Sequence, residues 1–126
     1  MEIRSGFKYT KTHEWVEFID EKTARDGLTD FAQKALGDLV FVNLPEKGNG
    51  IKTGETFADV ESVKAVSDVY SPVTGEIESV NEALLDSPEK INNAPYESWL
   101  ITVGGITDTA GLLDAADYEK LCAGEE

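Results

Sequence analysis

From residue 37 onward the chain nearly repeats itself. Three pairs of segments match in the same order along the sequence: Gly37–Asn43 with Gly75–Asn81, Pro45–Lys47 with Pro88–Lys90, and Phe57–Val60 with Leu100–Val103. The second copy has gained a few residues around Ala83–Ser87. Matched halves built from short strands predict a small sandwich or flattened barrel with an approximate two-fold axis.

The N-terminal part predicts strands followed by one short helix. Residues Phe7–Ile19 mix aromatic and β-branched side chains with charged ones, which favours one or two strands. Residues Asp20–Gly27 are polar and typical of a turn. Thr29 is a good N-cap and Gly37 can adopt the left-handed conformation that ends many helices, so we expect a helix near residues 29 to 36.

Two further helices are expected in the C-terminal half. Ser87-Pro88 pairs a capping residue with a proline suited to the first helical position, which predicts a short helical turn before Asn92-Asn93. Asp114 can cap a helix near residues 114 to 122 whose apolar residues form one stripe: Leu113, Tyr118, Leu121 and Cys122. We expect this last helix to close the core.

The two copies of the repeat meet in a segment that predicts a hairpin. Strand-like residues flank Val63-Lys64-Ala65 on both sides, which places Lys64 at or near the tip. Exposed lysines normally serve only solubility. A rigid turn is nevertheless where a carrier protein would present an amine for attachment, because a modifying enzyme must reach it and the attached arm must then visit several enzymes.

Charge and composition exclude several classes of function. The chain has 11 Lys and Arg against 25 Asp and Glu, a formal net charge of −14, which argues against nucleic-acid binding and favours steering toward basic partners. No apolar stretch approaches the roughly 18 to 20 residues of a membrane span, and the N-terminus has no signal or transit pattern. We therefore expect a soluble chain with no membrane partner.

Metal and hydrolase chemistry also lack their usual residues. His13 is the only histidine and Cys122 the only cysteine, which argues against disulfides, Cys/His metal sites and histidine-dependent nucleophiles. The sequence therefore argues against ordinary hydrolase chemistry and predicts no metal site.

The sequence around Lys64 closely resembles the lipoyl-lysine segment of the glycine cleavage system H-protein family. That segment is Glu-Ser-Val-Lys-Ala-Val-Ser-Asp-Val-Tyr-Ser-Pro-Val-Thr-Gly-Glu-Ile, residues 61 to 77. The likeness runs from about Phe7 to Cys122 and includes five more segments: Tyr9–Val16, Gly27–Gln33, Leu36–Pro45, Val80–Glu82 and Pro95-Tyr96 with Trp99. It implies one mainly β domain over residues 1 to 126, a barrel-sandwich hybrid of the lipoyl/biotinyl hammerhead type. Such a fold has two small antiparallel sheets and a few short helices, including a C-terminal one.

The resemblance also implies a function and its partners. Lys64 would carry lipoate, attached by a lipoate ligase or a lipoyl/octanoyl transferase. The arm would take the aminomethyl group of glycine from glycine decarboxylase, a pyridoxal phosphate enzyme, to aminomethyltransferase, which uses tetrahydrofolate. Dihydrolipoyl dehydrogenase would then reoxidise the arm. The protein would be a monomeric carrier of the bacterial cytoplasm, or of the mitochondrial matrix if it is a processed eukaryotic form.

Further site residues follow from the same resemblance. The residues flanking Lys64 would be recognised by the attaching enzyme and by partners: Glu61, Ser62, Val63 and Ala65. In the family, the segment containing Glu14 and the aspartate four residues after the lysine, here Asp68, lie near the cleft that receives the loaded arm. The alternative for Glu14 is an ordinary solvated strand residue beside a buried Trp15. His13 is a weaker candidate for the cleft, since a single imidazole has no evident partner in the sequence.

Related carriers and family departures leave some alternatives open. Biotinyl domains place their lysine between methionines, whereas the only methionine here is Met1, and 2-oxoacid dehydrogenase lipoyl domains are shorter and usually read Asp-Lys-Ala. A lipoyl relay protein of the same family and an unmodified acidic interaction module remain alternatives. The chain departs from the family pattern at four places: Arg25-Asp26, Asn43, Ala58-Asp59 and Glu97-Ser98. The first departure predicts weakened strand pairing before Gly27.

Overall fold

The computed structural model describes residues 1–109 and 111–125 and is built mainly of antiparallel strands. In chain order its elements are β1 (Lys8–Tyr9), β2 (Glu14–Asp20), β3 (Thr23–Leu28), α1 (Asp30–Leu36), β4 (Leu39–Asn43), β5 (Gly50–Ile51), β6 (Thr56–Ser62), β7 (Val66–Tyr70), β8 (Val73–Val80), α2 (Ala83–Asp86), α3 (Lys90–Asn93), β9 (Ile101–Thr109) and α4 (Ala115–Glu125). The larger sheet has the order β1-β2-β3-β9-β8-β5 and the smaller sheet the order β4-β6-β7. The expected mainly β fold with two sheets and a C-terminal helix is confirmed.

Apolar side chains form two buried clusters. The larger cluster draws on both sheets, with Val16 and Ile101 from the larger sheet and Val42 and Val60 from the smaller one. This arrangement removes one face of each sheet from water, which is the main stabilising contribution in a two-layer fold.

The second cluster is aromatic and is covered by α4. Tyr9 stacks on Tyr118 with ring centroids 4.4 Å apart, and Cys122 is buried one helical turn further along. Asp114 caps the helix, because its Oδ1 accepts a hydrogen bond of 2.9 Å from the backbone N–H of Asp117. The expectation that this helix closes the core is confirmed.

Trp15 belongs to the aromatic cluster and requires a glycine opposite it. Trp15 and Gly27 are paired across β2 and β3, and a Cβ built at Gly27 would lie 2.6 Å from the indole ring. Such an approach is shorter than carbon atoms tolerate, so only glycine lets the indole lie flat against the neighbouring strand.

The turn expected over Asp20–Gly27 is limited to Glu21-Lys22, because β2 runs to Asp20 and β3 begins at Thr23. β3 pairs with β2 along its length and with β9 from Ala24 to Asp26. Weakened pairing at Arg25-Asp26 was also expected and is not observed. Ladder hydrogen bonds on both sides fix the backbone here, which overrides the poor strand preference of these side chains.

The two copies of the repeat share one pairing scheme. β4 pairs with β6 in the first copy, and β8 pairs with β9 in the second, both antiparallel. The registers differ, since Val42 lies opposite Val60 but Val80 lies opposite Ile101. The match between Pro45–Lys47 and Pro88–Lys90 is not structural, because the first segment is a loop and the second leads into α3.

Helix boundaries were predicted well for α1 and less well for α3. Thr29 caps α1 by accepting a hydrogen bond of 3.2 Å from the N–H of Ala32, and Gly37 ends the helix with φ of 86°. α3 begins at Lys90 and includes Asn92-Asn93, so the prediction that it would start at Pro88 and end before these asparagines was wrong. Within the described residues, no helix has the length and apolar character needed to cross a bilayer.

Candidate functional site

Lys64 lies in a tight turn at the tip of the β6–β7 hairpin, as the sequence predicted. The backbone N–H of Ser62 donates a hydrogen bond of 2.7 Å to the carbonyl of Ala65, which closes the turn. The buried Ser62 hydroxyl accepts hydrogen bonds from the N–H groups of Lys64 and Ala65, at 3.2 and 3.0 Å. The turn is therefore held by its own side chain as well as by the ladder.

A second contact ties the turn to the end of α1. The N–H of Val63 donates a hydrogen bond of 3.1 Å to the carbonyl of Asp38. The Lys64 side chain is exposed and its stem passes over Gly37, where an added Cβ would lie 3.3 Å from the lysine Cε. The amine thus stands in solvent beside the C-terminal end of α1.

Glu14 is a buried acid held by hydroxyl and amide donors, so the solvated alternative for this residue was wrong. Its side chain lies where the N-terminal segment meets β7. The hydroxyl of Thr10 donates to its Oε1 at 2.6 Å, the hydroxyl of Thr12 donates to the same oxygen, and the N–H of Tyr70 donates to its Oε2 at 3.3 Å. Burial raises the pKa of Glu14, and these hydrogen bonds oppose that rise.

One groove brings together the two acids and the one histidine that were predicted to lie near the arm. His13, Glu14 and Asp68 all line a groove of about 160 Å³ whose apolar wall comes from α1, including Phe31, Ala35 and Leu36. We call this the α1 groove. Leu36, which lines the groove, is followed in the chain by Gly37, against which the Lys64 stem lies.

His13 has partners that the sequence did not reveal. Its Nδ1 lies 2.7 Å from the Tyr118 hydroxyl, its Nε2 lies 2.6 Å from a carboxylate oxygen of Glu125, and its ring stacks on Phe31 at 4.4 Å. The residue also has φ of 72°. These contacts fasten α4 to the start of β2, so His13 has a structural role in addition to lining the groove.

A larger cleft lies on the other side of Glu14. It has a volume of about 400 Å³ and is lined by residues that include Thr10, Lys11, Tyr70 and Ser71, but neither His13 nor Asp68 reaches it. Its threonines were not singled out in the sequence, although the alternating spacing of Thr10, Thr12 and Glu14 was a signal that they act together. Of the two, the α1 groove is the one with a lining residue, Leu36, next to Gly37 in the chain.

Comparison with known proteins places this chain in a family. A family model described as "Glycine cleavage H-protein" matches residues 7–125. The glycine cleavage system H protein of Lachnoclostridium phytofermentans is 58% identical over 120 residues, which cover 95% of this chain and 94% of that protein. The H protein of Nitrosospira multiformis is 47% identical over 100% of this chain and 99% of its own length.

A solved structure shows the same architecture. The crystal structure of a glycine cleavage system H protein from Mycobacterium marinum superposes with a TM-score of 0.88 at 40% identity, covering 94% of this chain and 97% of that one. Sequence and fold thus agree over nearly the whole chain. The protein belongs to the glycine cleavage H-protein family and is a carrier component of the glycine cleavage system.

Proposed function

We propose that Lys64 carries a covalently attached lipoyl group and that this arm moves the aminomethyl group of glycine between enzymes. The observation that supports this most directly is the position of Lys64, an exposed amine on a turn locked by Ser62. A lysine on a mobile loop would bind a modifying enzyme only after paying the entropy of ordering that loop. The locked turn presents the amine already ordered.

Attachment changes the chemistry of this position in a defined way. The neutral Lys64 amine attacks the acyl carbon of an activated lipoyl donor, such as an acyl adenylate. A C–N bond forms, the bond from the acyl carbon to the donor's leaving group breaks, and the amine loses one proton to solvent. The product is an amide, so one positive charge is lost from the hairpin. The attached group supplies a disulfide as its reactive centre, while the protein supplies presentation and recognition.

The residues flanking Lys64 divide into two roles in this proposal. Glu61, Val63 and Ala65 are exposed and are available for direct recognition by the attaching enzyme and by partners. Ser62 is buried, and it acts by shaping the turn through its hydroxyl. Substitution of Ser62 would therefore loosen the presentation of the lysine without removing a surface contact.

The α1 groove suits the loaded arm in shape and polarity. The arm is an apolar chain that ends, when loaded, in an ammonium group. The groove offers an apolar wall from α1, and Glu14 and Asp68 are among the residues that line it. An ammonium paired with a carboxylate out of bulk water gains a charge-assisted hydrogen bond. The same burial would slow attack of water on the carried group.

Membership in the glycine cleavage system implies partner enzymes. We propose that glycine decarboxylase loads the arm, that aminomethyltransferase unloads it to tetrahydrofolate, and that dihydrolipoyl dehydrogenase restores the disulfide. A lipoate ligase or a lipoyl/octanoyl transferase would attach the lipoyl group. In this scheme the protein is a substrate of each enzyme and not itself a catalyst. We further propose that it acts as a monomer in the bacterial cytoplasm.

Mass spectrometry of the intact protein tests the attachment. The purified chain is incubated with a lipoate ligase, lipoate and ATP, and the modified peptide is then mapped. We expect one lipoyl group, on Lys64, and none on Lys64→Arg. Lys34→Arg is the matched control and should be modified normally. Attachment at any other lysine, or no attachment to the folded wild-type protein, would show that the proposal is wrong.

A second assay separates the carrier function from a lipoyl relay. The modified protein is mixed with glycine decarboxylase, and exchange of carbon dioxide into glycine is followed. We expect exchange that depends on the modified protein and is absent with Lys64→Arg. A modified protein that supports no exchange but donates lipoate to other domains would favour the relay.

A further inference from the structure

The outward face of the smaller sheet carries an exposed apolar patch next to Lys64. Four aliphatic or aromatic residues form it, and their exposed fractions are 52%, 55%, 71% and 65% for Val40, Phe41, Val63 and Val66 respectively. We call these four residues the tip patch. Apolar side chains that are this exposed and this close together are typical of surfaces that bind a partner.

The register of the strands shows that the patch continues across the whole sheet. Phe41 lies opposite Glu61, and Glu61 lies opposite Val66. Directly opposed residues of neighbouring strands point to the same side, so these three form a row over β4, β6 and β7. Val42 and Val60 are offset by one position and point the other way, into the core, where both are almost fully buried.

A bulge in β4 enlarges the exposed surface. The register shifts between Leu39 and Phe41, which leaves Val40 as an extra residue without a partner in the ladder. Val40 and Phe41 are consequently both exposed, although regular alternation would bury one of them. The bulge lies next to the turn, since Leu39, the residue before Val40, is paired with Ser62 at the end of β6.

The charges of this face are almost all negative. Behind the row of Phe41, Glu61 and Val66 lies a second row of Asn43, Asp59 and Asp68, in which the two aspartates oppose each other across the ladder. Opposed like charges destabilise a sheet. In the three strands and the connecting turn, all within the described part of the chain, Lys64 is the one cation.

We infer that the tip patch, with Glu61 at its centre, is the docking surface for the enzyme that forms the amide on Lys64. This inference rests on the proposed lipoyl attachment. That enzyme must bring its active site to the Lys64 amine, and the tip patch is the apolar surface that borders the turn. Its complementary surface has an apolar depression for Phe41 and Val66, rimmed by basic residues that face Glu61, Asp59 and Asp68.

Initial rates of attachment to the full-length protein test the inference. The probe is a lipoate ligase with lipoate and ATP, at carrier concentrations that range from below to above saturation so that kcat and kcat/KM are both obtained. We expect Phe41→Ser and Val66→Ser each to lower kcat/KM about tenfold, with kcat little changed, because they remove docking contacts and leave the amine in place. Ile19→Ser is the matched control, since Ile19 is equally exposed at 54% but belongs to the larger sheet.

A competition experiment tests docking separately, because it measures inhibition of wild-type modification by variants that cannot themselves be modified. Lys64→Arg accepts no lipoyl group and should inhibit modification of the wild-type protein, whereas the double variant Phe41→Ser, Lys64→Arg should inhibit about tenfold less. Near-ultraviolet circular dichroism checks that each variant is folded. Wild-type rates for both patch variants, or equal inhibition by the single and double variants, would overturn the inference. A wild-type protein that accepts no lipoyl group would instead overturn the proposed function.

Discussion

Glu14 and Asp26 lie diagonally across the β2–β3 ladder on the face that points into the core. The register places Glu14 opposite Leu28 and Val16 opposite Asp26, so the two acids are diagonal neighbours. Asp26 is 2% exposed, and neither of its carboxylate oxygens has a hydrogen-bond partner among the described residues. Burial raises the pKa of Asp26 well above its usual range, and the charge of Glu14 raises it further.

Replacing Asp26 with valine should therefore stabilise the fold. A buried polar group without a partner costs about 1 to 3 kcal/mol in protein mutational data, and valine fills the site with apolar surface instead. We expect the free energy of unfolding of Asp26→Val in urea at pH 7.5 to exceed that of the wild type by this amount. An equal or lower value would show that Asp26 has a favourable contact in solution.

The advantage of this variant should shrink in acid. Because the folded pKa of Asp26 is raised, the folded state holds the proton more tightly than the unfolded state, in which the pKa is about 3.9. Asp26 thus destabilises the wild type progressively as pH rises above that value. Urea unfolding at pH 5 and pH 8 measures how far the free energy of unfolding of Asp26→Val exceeds that of the wild type. An excess that is larger at pH 5 than at pH 8 would contradict the raised pKa of Asp26.

Glu14→Gln should make the loaded carrier lose its cargo faster. The amide keeps the shape of the side chain but removes the charge that would pair with an ammonium, a difference of about 1.5 to 3 kcal/mol for a hydrogen bond to a charged group. We expect spontaneous ammonia release from the purified loaded protein to rise about tenfold. Glu17→Gln is a matched control, because Glu17 lies on the same strand outside the buried site. Equal rates for wild type, Glu14→Gln and Asp68→Asn would exclude these carboxylates as the protecting site.

Salt should slow the encounter between the carrier and its partner enzymes. A net charge of −14 attracts basic docking surfaces over long range, and salt at about 0.5 M limits this attraction to a few ångströms. At low carrier concentration, the loading and unloading rates should both fall as salt is raised from low ionic strength. A flat profile for both reactions would mean that the acidic surface does not steer association.

Gly37→Ala should destabilise the protein and disturb the lysine. Gly37 has φ of 86° and ψ of −163°, a region essentially reserved for glycine, and a residue with a side chain there costs about 1 to 3 kcal/mol. The new methyl group would also press on the Lys64 stem. Urea unfolding measures the decrease in the free energy of unfolding, with Gly124→Ala as the control. Gly124 lies in α4 with open space around it, so alanine there should be neutral or slightly stabilising.

The parts of the site that depend on local sequence were predictable, and the parts that depend on distant contacts were not. The turn at Lys64 was predictable because strand-like residues flank it on both sides. The partners of His13 were not, since Tyr118 lies 105 residues away along the chain. The buried state of Glu14 likewise depends on Tyr70, which approaches only when β7 packs beside the N-terminal segment.

Strand β3 and the bulge in β4 show a second limit of prediction from sequence, which is that strand pairing cannot be read from the residues of one segment. Arg25 and Asp26 interrupt the apolar alternation that signals a strand, and only pairing with β2 and β9 makes this segment extended. In β4 the residues Leu39–Val42 are a continuous apolar run, which does not reveal which of them face solvent. The register with β6 decides that, and with it the existence of the tip patch.

The hydrogen bonds of Ser62 have a mechanical consequence. They fix the backbone on both sides of Lys64, so any group joined to its amine pivots about a point that is stationary relative to the smaller sheet. The volume swept by that group is then determined by the length of the lysine side chain and its attachment, and not by motion of the hairpin. Its effective concentration at an enzyme docked on the carrier is accordingly set by the length of that tether and by the geometry of docking.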